Sequence, residues 1–232
     1  MLCYTYREYE LEDSTVVDVG GYSLSISKLS QSIYRLSLRY GDAEVPLGYL
    51  GLSSSRSVEL VPYSPVGGRV SVRYLMVRFR ESIAIPPGGS LSTVVQVPVD
   101  IGIYVGGTLV RVVPTRVKYA LYGPPDMGEL CRYVSEALVN GLHRCLRAPL
   151  RVSLSNASRS TVNVSRVVVP LGGLGLYLNE ERAPVLTSVR VSVRSQTYAE
   201  VVTELTPSEE GGGFTKLVVP PSQESYAMIY GV

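Results

Sequence analysis

Apolar and polar residues alternate along most of this chain. In residues 22–29, YSLSISKL, Tyr22, Leu24 and Ile26 take one parity and Ser23, Ser25 and Ser27 the other. Residues 33–40, IYRLSLRY, set Tyr34, Leu36, Leu38 and Tyr40 on one face against Arg35, Ser37 and Arg39. A period of two sends successive side chains to opposite faces of an extended strand, so both segments predict half-buried strands. Gly20-Gly21 before the first and Gly41-Asp42 after the second supply the turns. In 69–80, RVSVRYLMVRFR, the apolar parity shifts from Val70 and Val72 to Leu75, Val77 and Phe79, which predicts a β-bulge near Tyr74. PPGG at 86–89 predicts a turn before a strand at 90–99, with further strands at 108–113 and 115–122.

The pattern restarts after Pro149. Segments 150–156 and 161–169 flank ASRS as a predicted hairpin, 186–195 and 198–205 as a second, and 215–220 and 225–231 close the chain. SEEGGGF at 208–214 reads as a flexible loop by composition. Within 128–140, Leu130, Val134, Ala137 and Leu138 stand at helical spacing, while LCRYVSEAL reads equally well as a strand; periodicity alone leaves both open. Strands at roughly 8–12-residue spacing, with no alternation of strand and helix, predict an antiparallel sandwich or barrel. The expected fold is therefore all-β, two antiparallel β-sandwich-like domains with at most one short helix. HRCLRAP at 143–149 reads as the connector between an N-terminal domain, residues 1–145, and an immunoglobulin-like sandwich, residues 146–232.

Composition supports the strand reading. There are 17 Tyr against 2 Phe and no Trp, and Tyr can pack its ring on a half-buried sheet while its hydroxyl stays wet. A net charge of +2 argues against a nucleic-acid footprint, and the arginines alternate with apolar residues as on solvated strand faces. Residues 1–20 carry no basic-then-apolar leader, and no apolar run reaches the ~18 residues that span a bilayer. A cytoplasmic, soluble protein is expected. Four Asn and four Gln beside 15 Pro lean toward a thermophile. Three cysteines at irregular spacing do not read as a disulfide framework.

Candidate chemistry is sparse. His143 is the sole histidine, which removes most Ser-His-Asp and Cys-His designs unless it is itself the base. Cys131, His143 and Cys145 could lend three zinc ligands, and Cys3 could reach them, but the spacing matches no CxxC pair. Strand alternation would set His143 and Cys145 on one face without any metal. The glycines in 104–109 and 170–177 read as turns, since neither stretch has the phosphate-loop pattern. No catalytic residue, metal or cofactor is expected. For an enzyme or carbohydrate-binding cleft between domains, Asp100, Asp126 and Glu129 are the first carboxylates to examine.

Four stretches stand out together: ELVPYSPV (59–66), YLMVRFRESIAIPPGGS (74–90), VPVDIGIYV (97–105) and KYALYGPPDMGELCRY (118–133). In that order they resemble the archaeal domain of unknown function 432 family. The resemblance implies an archaeal, intracellular protein and carries no activity. By gene neighbourhood it suggests peripheral association with a membrane channel, without a transmembrane segment of its own. An aromatic expected after CRY is replaced here by Val134 and Ser135. The 118–133 segment is the place to look for function, with Lys118, Tyr119, Tyr122, Asp126, Arg132 and Tyr133 as a ligand or partner surface. The function expected is a non-enzymatic β-sandwich binding or assembly module that engages a protein partner, with self-association compatible. An enzyme or carbohydrate-binding cleft is the alternative, and weak nucleic-acid binding comes third.

Overall fold

The computed structural model describes residues 3, 5–52, 57–65, 70, 72–207 and 213–232. In chain order the strands are β1 (Glu8–Glu10), β2 (Ser14–Val19), β3 (Tyr22–Lys28), β4 (Ile33–Tyr40), β5 (Ala43–Gly51), β6 (Ser57–Tyr63), β7 (Tyr74–Ile85), β8 (Ser90–Pro98), β9 (Asp100–Val105), β10 (Thr108–Val113), β11 (Tyr119–Tyr122) and β12 (Glu129–Ser135). A single helical turn, α1 (Glu136–Val139), and a 3₁₀ turn at Arg144–Leu146 follow. Then come β13 (Arg147–Asn156), β14 (Val162–Pro170), β15 (Leu176–Asn179), β16 (Pro184–Val193), β17 (Ala199–Pro207), β18 (Phe214–Val219) and β19 (Ser225–Met228). The fold is all-β and sandwich-like, as the alternation predicts.

The serine-rich strands behave as a period of two requires. β2–β3–β4–β5 form an antiparallel meander with Leu24, Ile26, Leu36 and Leu38 turned into the core. Gly20 and Gly21 close the first hairpin with φ of 59° and 93°, the positive values that a tight β-hairpin turn demands. Tyr40, expected on the apolar face, is half exposed and stacks on Tyr22 with ring centroids 4.7 Å apart. The other sheets run β1–β6–β9–β10, β11–β12–β7–β14, and β18–β15–β16–β13–β8, with β17 and β19 continuing from β16.

Strands from before and after residue 145 pair with one another. β7 pairs with β14, β8 pairs with β13, and one apolar core runs from Leu11 to Val232. Two pairings, β7 with β12 and β13 with β16, are parallel. β7 and β8, consecutive in sequence, part at the PPGG turn and join different sheets.

Two local expectations are corrected by the same topology. β13 and β14 form no hairpin, because the loop after Asn156 carries the chain from one sheet to another. Asn156 is buried at that corner. Its Nδ2 donates to Ile85 O and Ser160 O, both at 2.8 Å, and its Oδ1 accepts from the Ser158 amide and hydroxyl. The parity shift in β7 is no bulge at Tyr74: Leu75, Met76 and Val77 are all buried because both faces of the strand are covered there. The irregularity lies further on, where Arg78 faces Arg166 and Ile83 faces Val164, so that Phe79 to Ser82 bulge out opposite Ser165. The ambiguous segment 128–140 is strand through Ser135 and helical for one turn beyond it. The loop at 208–214 falls mostly on 208–212, which lie outside the described residues.

Cys3 and Cys145 form a disulfide with Cα atoms 5.6 Å apart. This overturns the reading of the cysteines as unlinked, since spacing along the chain says nothing about two residues 142 positions apart. The bridge sits in a small apolar cluster with Tyr6, Leu178 and Ala183. Tyr6 is buried and donates its hydroxyl to Cys145 O at 2.5 Å.

Candidate functional site in the 118–133 hairpin

β11 and β12 pair antiparallel, with Tyr119 opposite Arg132, Ala120 opposite Cys131, Leu121 opposite Leu130 and Tyr122 opposite Glu129. The turn between them holds itself through Gly128 N and Met127 N, which both donate to Pro124 O. Gly123 has φ of 110°, and a Cβ there would fall 2.5 Å from the Tyr230 ring. Only glycine fits both the backbone and the space. Directly opposed residues share a face, so the hairpin has two.

One face begins in the interior and ends in solvent. Arg132 is fully buried, and its guanidinium donates to Asp100 Oδ1 at 3.1 Å and to the Thr115 carbonyl. Asp100, at the start of β9 and also fully buried, accepts from the Thr115 amide at 2.9 Å. The Thr115 hydroxyl donates to Val99 O at 2.6 Å. Burial pushes the Tyr6 phenol far above its ordinary value, with the Asp100 charge a second cause. This cluster fastens the hairpin to the β9 sheet. Tyr119, next on the face, donates its hydroxyl to Val70 O and accepts from Val70 N. Leu121 and Leu130 then stand 41% and 39% exposed, and Met127 in the turn 67%.

The second face carries Lys118 with Tyr133, Ala120 with Cys131, and Tyr122 with Glu129. Lys118 Nζ lies 4.8 Å over the Tyr133 ring, a cation–π contact at the surface. Tyr122 is buried; its hydroxyl donates to Gly231 O and accepts from Tyr230 N, both at 3.0 Å, which anchors the end of the chain. Burial raises its phenol above the ordinary value. The Tyr226 ring bridges Tyr74 at 4.5 Å and Tyr122 at 6.5 Å.

The six candidate residues therefore do not form one surface. Arg132 and Tyr122 are interior fasteners, Tyr119 ties down Val70, Lys118 and Tyr133 make a surface pair, and Asp126 stands exposed in the turn. The residues that sequence reasoning missed are Leu121, Leu130 and Met127, whose apolar side chains read as ordinary core positions.

The proposed metal set does not assemble. Cys145 is bonded to Cys3, and Cys131 is a buried free thiol donating to Glu129 O, which burial pushes up to about 12. His143 and Cys145 do not share a strand face, because a 3₁₀ turn follows His143 and its Nδ1 accepts from the Cys145 amide. Among the described residues no group of three His, Cys, Asp or Glu could hold a metal ion. The three carboxylates are also apart in kind: Asp100 is locked in the interior, Asp126 is exposed, and Glu129 is half-buried near Tyr74 and Cys131.

Residues 5–228 match the family described as protein of unknown function (DUF432). The chain belongs to the DUF432 family. No curated protein and no solved structure matches it. Among the described residues of this DUF432 chain, no helix is long and apolar enough to cross a membrane.

Proposed function

We propose that this protein is a non-enzymatic binding module that takes an extended segment of a protein partner along the free edge of β11. The observation that carries this reading is the opposed, exposed pair Leu121 and Leu130 beside an edge strand. Tyr133 N donates to Lys118 O, so positions 118, 120 and 122 turn their backbone groups toward β12. Tyr119 and Leu121 turn theirs outward. Among the described residues nothing pairs with that edge. An added strand would gain backbone hydrogen bonds from Tyr119 and Leu121 and apolar contact from Leu121, Leu130 and Met127. The partner segment is accordingly extended, with alternating apolar residues. The fixed turn and the buried Arg132 fastening hold this edge in place before binding, which limits the ordering cost.

A display library of short random peptides tests the reading. Selected peptides should alternate apolar residues, slow amide exchange at Tyr119 and Leu121, and lose at least tenfold affinity for L121D/L130D. Peptides that bind L121D/L130D as well as the wild type, or protect amides elsewhere, would remove the edge from consideration. Concentration-dependent doubling of mass through the same edge would replace a foreign partner with a second copy.

A further inference from the structure

We infer that a second site, away from the β11 edge and independent of the reading above, binds a small organic anion: a carboxylate or phosphate head on a compact apolar body. The site is the cleft where β7 and β8 part company. It encloses about 230 Å³ between Val77–Arg80 of β7, Val94–Gln96 of β8, the Val134–Asn140 segment and Arg147, and it opens into a wider recess of about 440 Å³ bordered by Tyr133.

The lining divides into two parts. Val77, Val94, Val95, Val134 and Val139 form an apolar part. Arg78, Arg80 and Arg147 supply three guanidinium groups, and Glu136 is the one carboxylate among the lining residues. Glu136 lies 4.0 Å from Arg80, an exposed pair at the limit of ion pairing and therefore weak. Among the described residues neither Arg78 nor Arg147 has a carboxylate within ion-pairing distance. What sets Arg78, Arg80 and Arg147 apart is that the three line one cleft.

The backbone explains why these arginines gather. The bulge that begins at Arg78 releases Phe79 to Ser82 from pairing with β14, and the end of β12 turns into α1 beside it. Bulges re-aim side chains next to binding sites. β13 starts at Arg147, opposite Pro98 of β8, and so brings the third guanidinium from the other sheet. Planar guanidinium forks match the two oxygens of a carboxylate or phosphate. A volume of about 230 Å³ is about seven to eight water volumes, enough for a body the size of a benzene ring.

Titration calorimetry with benzoate, phenyl phosphate, benzamide and inorganic phosphate tests this. Benzoate or phenyl phosphate should bind saturably, and whichever binds tighter identifies the head group. Benzamide, which lacks the charge, and inorganic phosphate, which lacks the apolar body, should each bind at least tenfold more weakly. R78Q/R147Q should cost at least tenfold with an unchanged circular dichroism spectrum, and R78K/R147K should recover part of it. Equal binding of benzamide, equal binding of inorganic phosphate, no saturable binding of either organic anion, or full affinity in R78Q/R147Q overturns the inference. The comparison of four probes on the wild type decides the matter even if a variant fails to fold.

Discussion

Removing the Cys3–Cys145 bridge should lower stability more than any other change near the chain's start. The bridge joins residues 142 positions apart, so it closes most of the first 145 residues into one ring in the unfolded chain. The loop-closure entropy of a ring that size is roughly 17 cal/mol/K, or about 5 kcal/mol at 25 °C. Engineered and natural bridges usually give less than the full loop term, so about 3–5 kcal/mol is expected. The native side of the balance changes little in C3A/C145A, because Tyr6 remains buried with its hydroxyl on Cys145 O and the amide of residue 3 remains on Glu181 O. In a chain of this length the loss corresponds to a fall of about 10 °C in Tm. Urea unfolding of wild type, C3A/C145A and reduced wild type measures it directly. Thiol titration of the unfolded, unreduced protein gives an independent check: one reactive thiol, Cys131, from three cysteines. A double variant within about 1 kcal/mol of the wild type, or three titrating thiols, would refute the reasoning.

Other consequences follow from the interior. Arg132→Met takes away the buried guanidinium that faces Asp100 and should cost about 3–5 kcal/mol, whereas R132M/D100L should cost less than the two single changes together. A double-mutant cycle by urea unfolding reads this, and strict additivity would count against a coupled pair. Alkaline pH should destabilise the protein. Burial raises Cys131 above its ordinary 9.0 and Tyr6, Tyr22, Tyr74, Tyr104, Tyr122 and Tyr226 above their ordinary 10.0. Groups raised in the folded state keep their protons there while the unfolded chain loses its own, so stability is full below pH 9 and declines as pH rises past 9 and 10. Urea midpoints that stay level from neutral pH to pH 11 would contradict this. Asn156→Ala should cost about 2 kcal/mol or more, because it strips the side-chain bond from the Ile85 carbonyl at the corner between sheets; thermal melts that shift by less than a degree would show that corner to be held by other means.

Much of the fold was legible because alternation is a local signal. Leu24, Ile26, Leu36 and Leu38 announce both their strands and their buried face, and adjacent meander strands need only a glycine turn to pair. What was hidden is non-local. Nothing in LRVSLSN and TVNVSRVVV shows that the chain leaves one sheet between them; both orders satisfy the same alternation, and the buried Asn156 fastens the corner where it does so. Cys3 and Cys145 are likewise joined by the folded path, not by spacing. The anion cleft escaped notice for a related reason. Arg78 and Arg80 look like any solvated strand face until a bulge and a distant Arg147 bring them around one cavity.

The hairpin at 118–133 shows why composition misdirects a search for function. Two of its six candidate residues, Arg132 and Tyr122, are its interior fasteners. Arg132 holds the hairpin to β9, and Tyr122 holds the end of the chain to the hairpin. A loss of binding on changing either one would report unfolding as readily as recognition. The plain residues, Leu121 on the open-edged β11 and Leu130 opposite it on β12, are exposed, and polar replacements there remove little buried contact. Binding and stability can therefore be separated within one hairpin. L121D/L130D should abolish strand addition in a protein that melts like the wild type, while R132M should lower the melt and leave binding intact in whatever fraction remains folded. If both pairs of effects moved together, the hairpin would be a structural junction and nothing more.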